Sequence, residues 1–126
     1  MQHPAAHGTL LAPRAPTTGD APPPLSQDAV RPFAERLRVL GHPIRLLILD
    51  RLQSGGAMPV HRLVTALETT TLSQGAVSQH LARMRQAGLL AAQRHGHEVW
   101  YAVTDPHALT ILNCIQAKLR RTPTPA

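Results

Sequence analysis

From Ser26 onward, apolar residues recur at helical spacing in successive blocks, each bounded by a residue that starts or stops a helix. Ser26 is placed to cap a first helix carrying Val30, Phe33, Ala34, Leu37 and Leu40, with Gly41 as its stop. Pro43 suits the first turn of a second helix, with Ile44, Leu47, Ile48 and Leu52 inward and Gly55-Gly56 at its end. Pro59 opens a third, on which Val60, Leu63, Val64 and Leu67 keep the same spacing. A turn over 68–72 leads into a fourth helix within 73–90, ended by Gly88. The period then changes. Residues 89–94 and 98–103 are strand-like, and His95-Gly96-His97 supplies a glycine where a tight hairpin needs positive φ. Asp105 can cap, and Pro106 begin, a last helix with Ala108, Leu109, Ile111, Leu112, Ile115 and Leu119 on a wide apolar face. The predicted fold is mainly α with a small β-hairpin wing, a winged helix-turn-helix.

The fourth helix carries the most information. With Val77 at zero and about 100° per residue, Leu81 and Met84 fall beside it, while Gly75, Gln79, Ala82, Arg83 and Gln86 fall opposite. That outer side is small near its N-terminus, rich in amide and guanidinium donors, and free of acids. A merely solvated face would more often show Glu/Lys pairs. Amides pair with adenine edges, guanidinium with guanine, and a serine hydroxyl with either, so Gln74, Ser78, Gln79 and Arg83 are predicted to face bases. His80 sits at the edge of the apolar stripe and reads as a packed or phosphate-touching histidine. Arg94, His95 and His97 in the wing are placed to touch phosphate or the minor groove; Arg85 and Arg62 fit phosphate contacts. The competing reading for all of these is a solvated, generically charged surface.

Charge fits this picture. The chain has 126 residues, with 13 Lys and Arg against 7 Asp and Glu, a formal charge of +6. Such a balance favours polyanions, and would equally suit an acidic membrane surface. No apolar run reaches the roughly 18 residues a span requires, and the start lacks the charged-then-apolar order of a signal peptide. A single cysteine excludes an intrachain disulfide framework and suits a reducing cytoplasm. Residues 1–25 hold Pro4, Pro13, Pro16, Pro22, Pro23 and Pro24 and are expected to be a disordered tail; 122–126 form a second, short one. The domain is thus 26–121. A body of about 95 residues has only a small core. Wide apolar faces on its first and last helices therefore predict a homodimer through those helices, which would set two recognition helices on one duplex.

The run RVLGHPIRLLIL at 38–49, with SQGAVSQHLARMRQAGLL at 73–90, resembles the ArsR/SmtB family of bacterial repressors. The resemblance rests on His42, Pro43 and Arg45, on Ser78, His80 and Leu81, and on the wing AAQRHGHEVWYAV at 91–103. It covers residues 28–120. It implies a dimeric repressor of a double-stranded, inverted-repeat operator, released when an inducer is sensed: a transition-metal ion, a metalloid or a thiol-reactive species.

The family's arsenic-type cysteine box is missing, since residues 58–67 offer only His61. Its zinc-type site pairs Asp-x-His with a second half about three turns on. Asp105 and His107 match the first half, but Lys118 and Arg121 stand at the second, so the site looks lost and Asp105 reads as an N-cap. Met1-Gln2-His3 can form a square-planar Cu(II) or Ni(II) chelate through its amine, two amides and the His3 imidazole, a pattern that many termini carry by accident. Cys114, the lone thiol, has Thr110, Lys118 and Arg121 on its side of the last helix. Cations favour the thiolate that oxidants and electrophiles attack. Its other reading is an inert filler of a dimer contact.

Two alternatives stand beside the inducible repressor. One keeps the fold and makes Cys114 a redox or reactive-sulfur sensor. The other is a winged helix that docks on a protein partner and binds DNA weakly. No phosphate loop, paired carboxylates or nucleophile elbow supports catalysis.

Overall fold

The computed structural model describes residues 21–67 and 71–121, with the backbone alone at Arg121. The predicted tail at 1–25 therefore falls largely outside the described residues, as do all of 122–126 and His3; 21–25 are exposed and without regular structure. Five helices and three short strands follow in order: α1 (Gln27–Leu40), α2 (Pro43–Gly55), β1 (Met58–Pro59), α3 (Val60–Ala66), α4 (Gln74–Gln86), β2 (Leu90–His95), β3 (Glu98–Val103) and α5 (Pro106–Arg121). At the start of α1 the Ala29 amide donates to Ser26 Oγ at 3.1 Å, the predicted cap. The compact body begins at Arg31.

The core forms where the helical stripes of α2, α3 and α4 meet. Ile48, Leu49, Leu63, Val77, Leu81, Met84 and Leu89 are fully buried. Fully burying an aliphatic side chain contributes about 1.5–3 kcal/mol, so these residues hold the helix-turn-helix together. Leu49, absent from the sequence-derived stripe, is as buried as Ile48 because α2 is covered on two sides, by α3 and α4 and by α5. Arg51 Nε donates to the Ala66 carbonyl at 3.0 Å, fixing α2 to the end of α3. Gln116 Nε2 donates to Asp50 Oδ1 at 3.0 Å, fixing α5 to α2.

The sheet corrects two details of the sequence reading. Pro59 does not open α3 but precedes it, because Met58 and Pro59 pair with Tyr101 and Trp100 as an edge strand. The wing is thus part of a three-stranded antiparallel sheet in the order β1-β3-β2. A two-residue strand is too short to leave a periodic signal, and proline there is tolerated only at an edge. The hairpin is also tighter than the three-residue link predicted: His95 pairs with Glu98 and only Gly96-His97 turn. Gly96 has φ +66 and His97 does not share it, the pattern of a type II′ turn.

Leu89, predicted to start the first strand, instead completes the end of α4. Its amide donates to the Met84 carbonyl and that of Gly88 to Arg85, with Gly88 at φ +83. This is a Schellman motif, in which a left-handed glycine and two backward bonds satisfy the last carbonyls. Leu89 and Met84 supply the hydrophobic contact such motifs carry, both being fully buried.

Candidate nucleic-acid interface

α4 is held as a recognition helix requires. Ser73 Oγ accepts from the Ala76 amide at 3.1 Å and caps it, while Val77, Leu81 and Met84 anchor one side. Every other position that carries a polar side chain is at least partly exposed, and the helix contains no acid. The predicted base-facing residues fall along both edges of the outer face. Gln74 and Ser78 border a depression shared with His61, His97, Glu98 and Tyr101, on the wing side. Gln79 and Arg83 border a second one, shared with Arg45 and His80, on the side of α2. Arg85 is exposed further along the helix.

His80 is the residue most tied to the body. Its Nδ1 accepts from Arg45 Nε at 3.1 Å, and its ring lies 4.6 Å from that of His42, tilted by 60°. His42 in turn caps α2, Nδ1 accepting from the Ile44 amide at 3.1 Å. Burial first, then the charges of His42 and Arg45, push the His80 imidazole below its ordinary pKa. Because Nδ1 accepts, the neutral ring carries its proton on Nε2. Sequence reasoning placed His80 at the stripe edge and Arg45 in the family motif, but missed their contact and the capping role of His42. The spacing of His42, Pro43 and Arg45 was the available signal.

The wing presents Arg94, His95 and His97, all exposed. Arg94 and His97 make no side-chain hydrogen bond or ion pair among the described residues. His95 stacks on Trp100, with centroids 5.4 Å apart and planes at 28°, and the Arg62 guanidinium lies 5.7 Å from the same ring. Glu98, the only acid of the wing and one the sequence reading passed over, is occupied at both oxygens. His61 Nε2 donates to one at 2.7 Å and Trp100 Nε1 to the other at 3.2 Å. Those two hydrogen bonds hold its carboxyl below the usual carboxylate range, against a smaller opposing effect of desolvation; the charges of His61 and Arg62 add to the lowering. The acid is thus paired with α3 on one side and with its own strand on the other, and the exposed Arg94 carries the wing's outer positive charge.

Of the sensing candidates, His107 and Cys114 lie on α5 and Asp105 immediately precedes it. Asp105 is buried; its Oδ1 accepts from the His107 amide at 3.0 Å and faces His107 Nδ1 at 3.2 Å, while its Oδ2 stands 3.9 Å from Arg36 Nε. That is an N-cap with a counter-charge, and with Lys118 and Arg121 in place of the second half these residues do not fit the family's zinc site. No three His, Cys, Asp or Glu side chains gather into a metal-binding group among the described residues. Cys114 is exposed. Also exposed are Phe33 and Leu37 on α1 and Ile115 and Leu119 on α5. Between α1 and α5 runs a trough lined by Phe33, Leu37, Leu40, Ala108 and Ile111, with Arg36, Asp105 and His107 also on its walls. No described helix is long and apolar enough to cross a membrane.

The model of the bacterial regulatory protein arsR family matches residues 42–92. The transcriptional repressor PagR of Bacillus anthracis is 36% identical over 86 residues, which cover 66% of this chain and 83% of PagR. The HTH-type transcriptional repressor SmtB of Mycobacterium tuberculosis is 37% identical over 95 residues, 75% of this chain and 66% of SmtB. The crystal structure of PagR superposes with a TM-score of 0.64 at 31% identity, covering 71% of this chain and 99% of that one.

Proposed function

From a chain that belongs to the ArsR family of bacterial regulatory proteins, we infer a transcriptional repressor that binds an inverted-repeat operator as a homodimer and leaves it when an inducer acts. DNA-binding regulation, rather than catalysis, is the activity of such a protein. The observation that carries the reading is α4: capped, anchored by three buried side chains, acid-free on its outer face, and flanked by a wing with Arg94 and His97 exposed. Phosphate contacts from the wing would fix register, and amide and guanidinium groups on α4 would read base edges.

Dimerisation is supported by the apolar side chains left uncovered on α1 and α5. Covering those helices with a second copy would place two α4 helices on one face, and about 34 Å between them would match successive major grooves. An inducer that changes that spacing needs a coupling of only about 1–3 kcal/mol. For the signal, the exposed Cys114 on the same helix supports a thiol-reactive inducer, because Asp105 and His107 are occupied by the helix cap. A cytoplasmic location goes with work on DNA.

The test is a fluorescence-anisotropy titration against the DNA upstream of the protein's own gene, over a salt series, with Zn(II), Cu(II), Ni(II) and a persulfide or peroxide donor. Tight binding with a steep negative salt slope, released by one of these, is expected. Binding that is absent or insensitive to salt would overturn the repressor and favour a protein-docking winged helix.

A further inference from the structure

We propose that Arg45 of α2 and His80 of α4 form a rigid cradle for one DNA backbone phosphate, on the side of the recognition helix opposite the wing. The inference rests on the repressor reading above and adds a contact from outside the helix-turn-helix pair α3 and α4. Arg45 spends two of its nitrogens on the protein: Nε donates to His80 Nδ1 at 3.1 Å, and Nη1 to the Val39 carbonyl at 3.1 Å. Nη2 donates to no group among the described residues. The same bond that holds Nδ1 of His80 as an acceptor leaves Nε2–H as a donor. Both side chains line a shallow concavity with Ala76, Gln79, Ala82 and Arg83, and no acid lines it. Arg83 makes no ion pair among the described residues. Glu35, which borders the adjoining depression with Arg83, is held by Arg38 at 2.6 Å.

A guanidinium fixed by two hydrogen bonds loses little further conformational freedom when it meets an oxyanion, and its charge strengthens the contact. Position selects the anion. A duplex engaged by the outer face of α4 has one backbone beside the wing and the other beside this concavity, so the phosphodiester is the ligand already at hand.

The experiment compares wild type with Arg45→Met and Arg45→Lys on operator and unrelated duplexes over a salt series. Arg45→Met should weaken both by a similar factor and make the log–log salt slope shallower by about 0.9, one phosphate's share. Arg45→Lys, a point charge without the fork, should keep the slope and lose part of the affinity. A folded Arg45→Met protein with the wild-type slope overturns the inference and leaves the repressor standing. Should that variant not fold, wild type alone decides: NMR signals of the Arg45 guanidinium and the His80 ring should move on adding duplex, and unmoved signals overturn it. Signals moved by millimolar inorganic phosphate, but not by duplex, would assign the cradle to a free anion and overturn it equally. If wild type binds no duplex with salt dependence, the repressor reading fails first and this inference with it.

Discussion

The carboxylate of Asp105 faces the guanidinium of Arg36 at 3.9 Å, and Arg36 Nε also reaches the Ala87 carbonyl at 3.4 Å. One arginine of α1 thus touches the cap of α5 and the end of the recognition helix. Asp105→Ala should lower stability by about 1 kcal/mol for the lost cap, with a further loss because Arg36 keeps a half-buried charge without its counter-charge. Asp105→Ser should recover the cap portion alone. Urea midpoints of the three proteins give the comparison; equal midpoints would mean that neither interaction contributes.

Gln79→Ala and Arg83→Ala should each narrow the gap between operator and unrelated DNA by about 1–3 kcal/mol, leaving the circular dichroism spectrum as in wild type. Their exposed position on α4 motivates this. An unchanged gap in both variants would show that the helix meets the groove by another edge.

Acid should destabilise the fold through His80. Its folded pKa lies below that of the unfolded chain, so the unfolded state takes the proton first as pH falls. The stabilising difference is complete above about pH 6.5, the unperturbed histidine value, and declines below it. Urea unfolding at pH 7.5 and 5.5 should show a larger drop for wild type than for His80→Gln. Parallel drops would contradict the environment described.

Charging the exposed apolar faces of α1 and α5 should separate the protomers. Phe33→Glu combined with Leu119→Glu places acids on apolar positions of α1 and α5 that are already exposed in one chain, so the monomer should fold while the dimer does not form. Sedimentation should give the monomer mass, and operator affinity should fall steeply. A dimer that survives both charges must use another surface.

Cys114→Ser should bind the operator as wild type does and show no release by diamide, peroxide or persulfide, since no other thiol exists in the chain. Release that persists in the variant removes thiol chemistry as the signal.

Helices with a capping residue and a buried stripe were legible in the sequence: Ser26, Pro43, Ser73 and Asp105 all stand where their helices start. The faces of α1 and α5 were legible as apolar, though a single chain leaves Phe33, Leu37, Ile115 and Leu119 open, since periodicity marks what is to be covered and not by what. β1 was hidden because two residues carry no period. The Arg45–His80 contact spans 35 positions, and no local pattern encodes a long-range polar pair. Glu98 was passed over because His61, 37 positions away at the start of α3, meets it only once β1 pairs with β3, although Trp100 lies two residues along its own strand.

Gly88 and Leu89 leave no linker between α4 and β2: the residue that closes the helix cap is also the neighbour of the first strand residue. Reader and wing are therefore joined through the cap itself, with no residue between cap and strand. In the repressor inferred above, an inducer would therefore act on where this joined pair points relative to a second copy. Inserting even one residue at this elbow should uncouple the two contacts that a single groove needs in register.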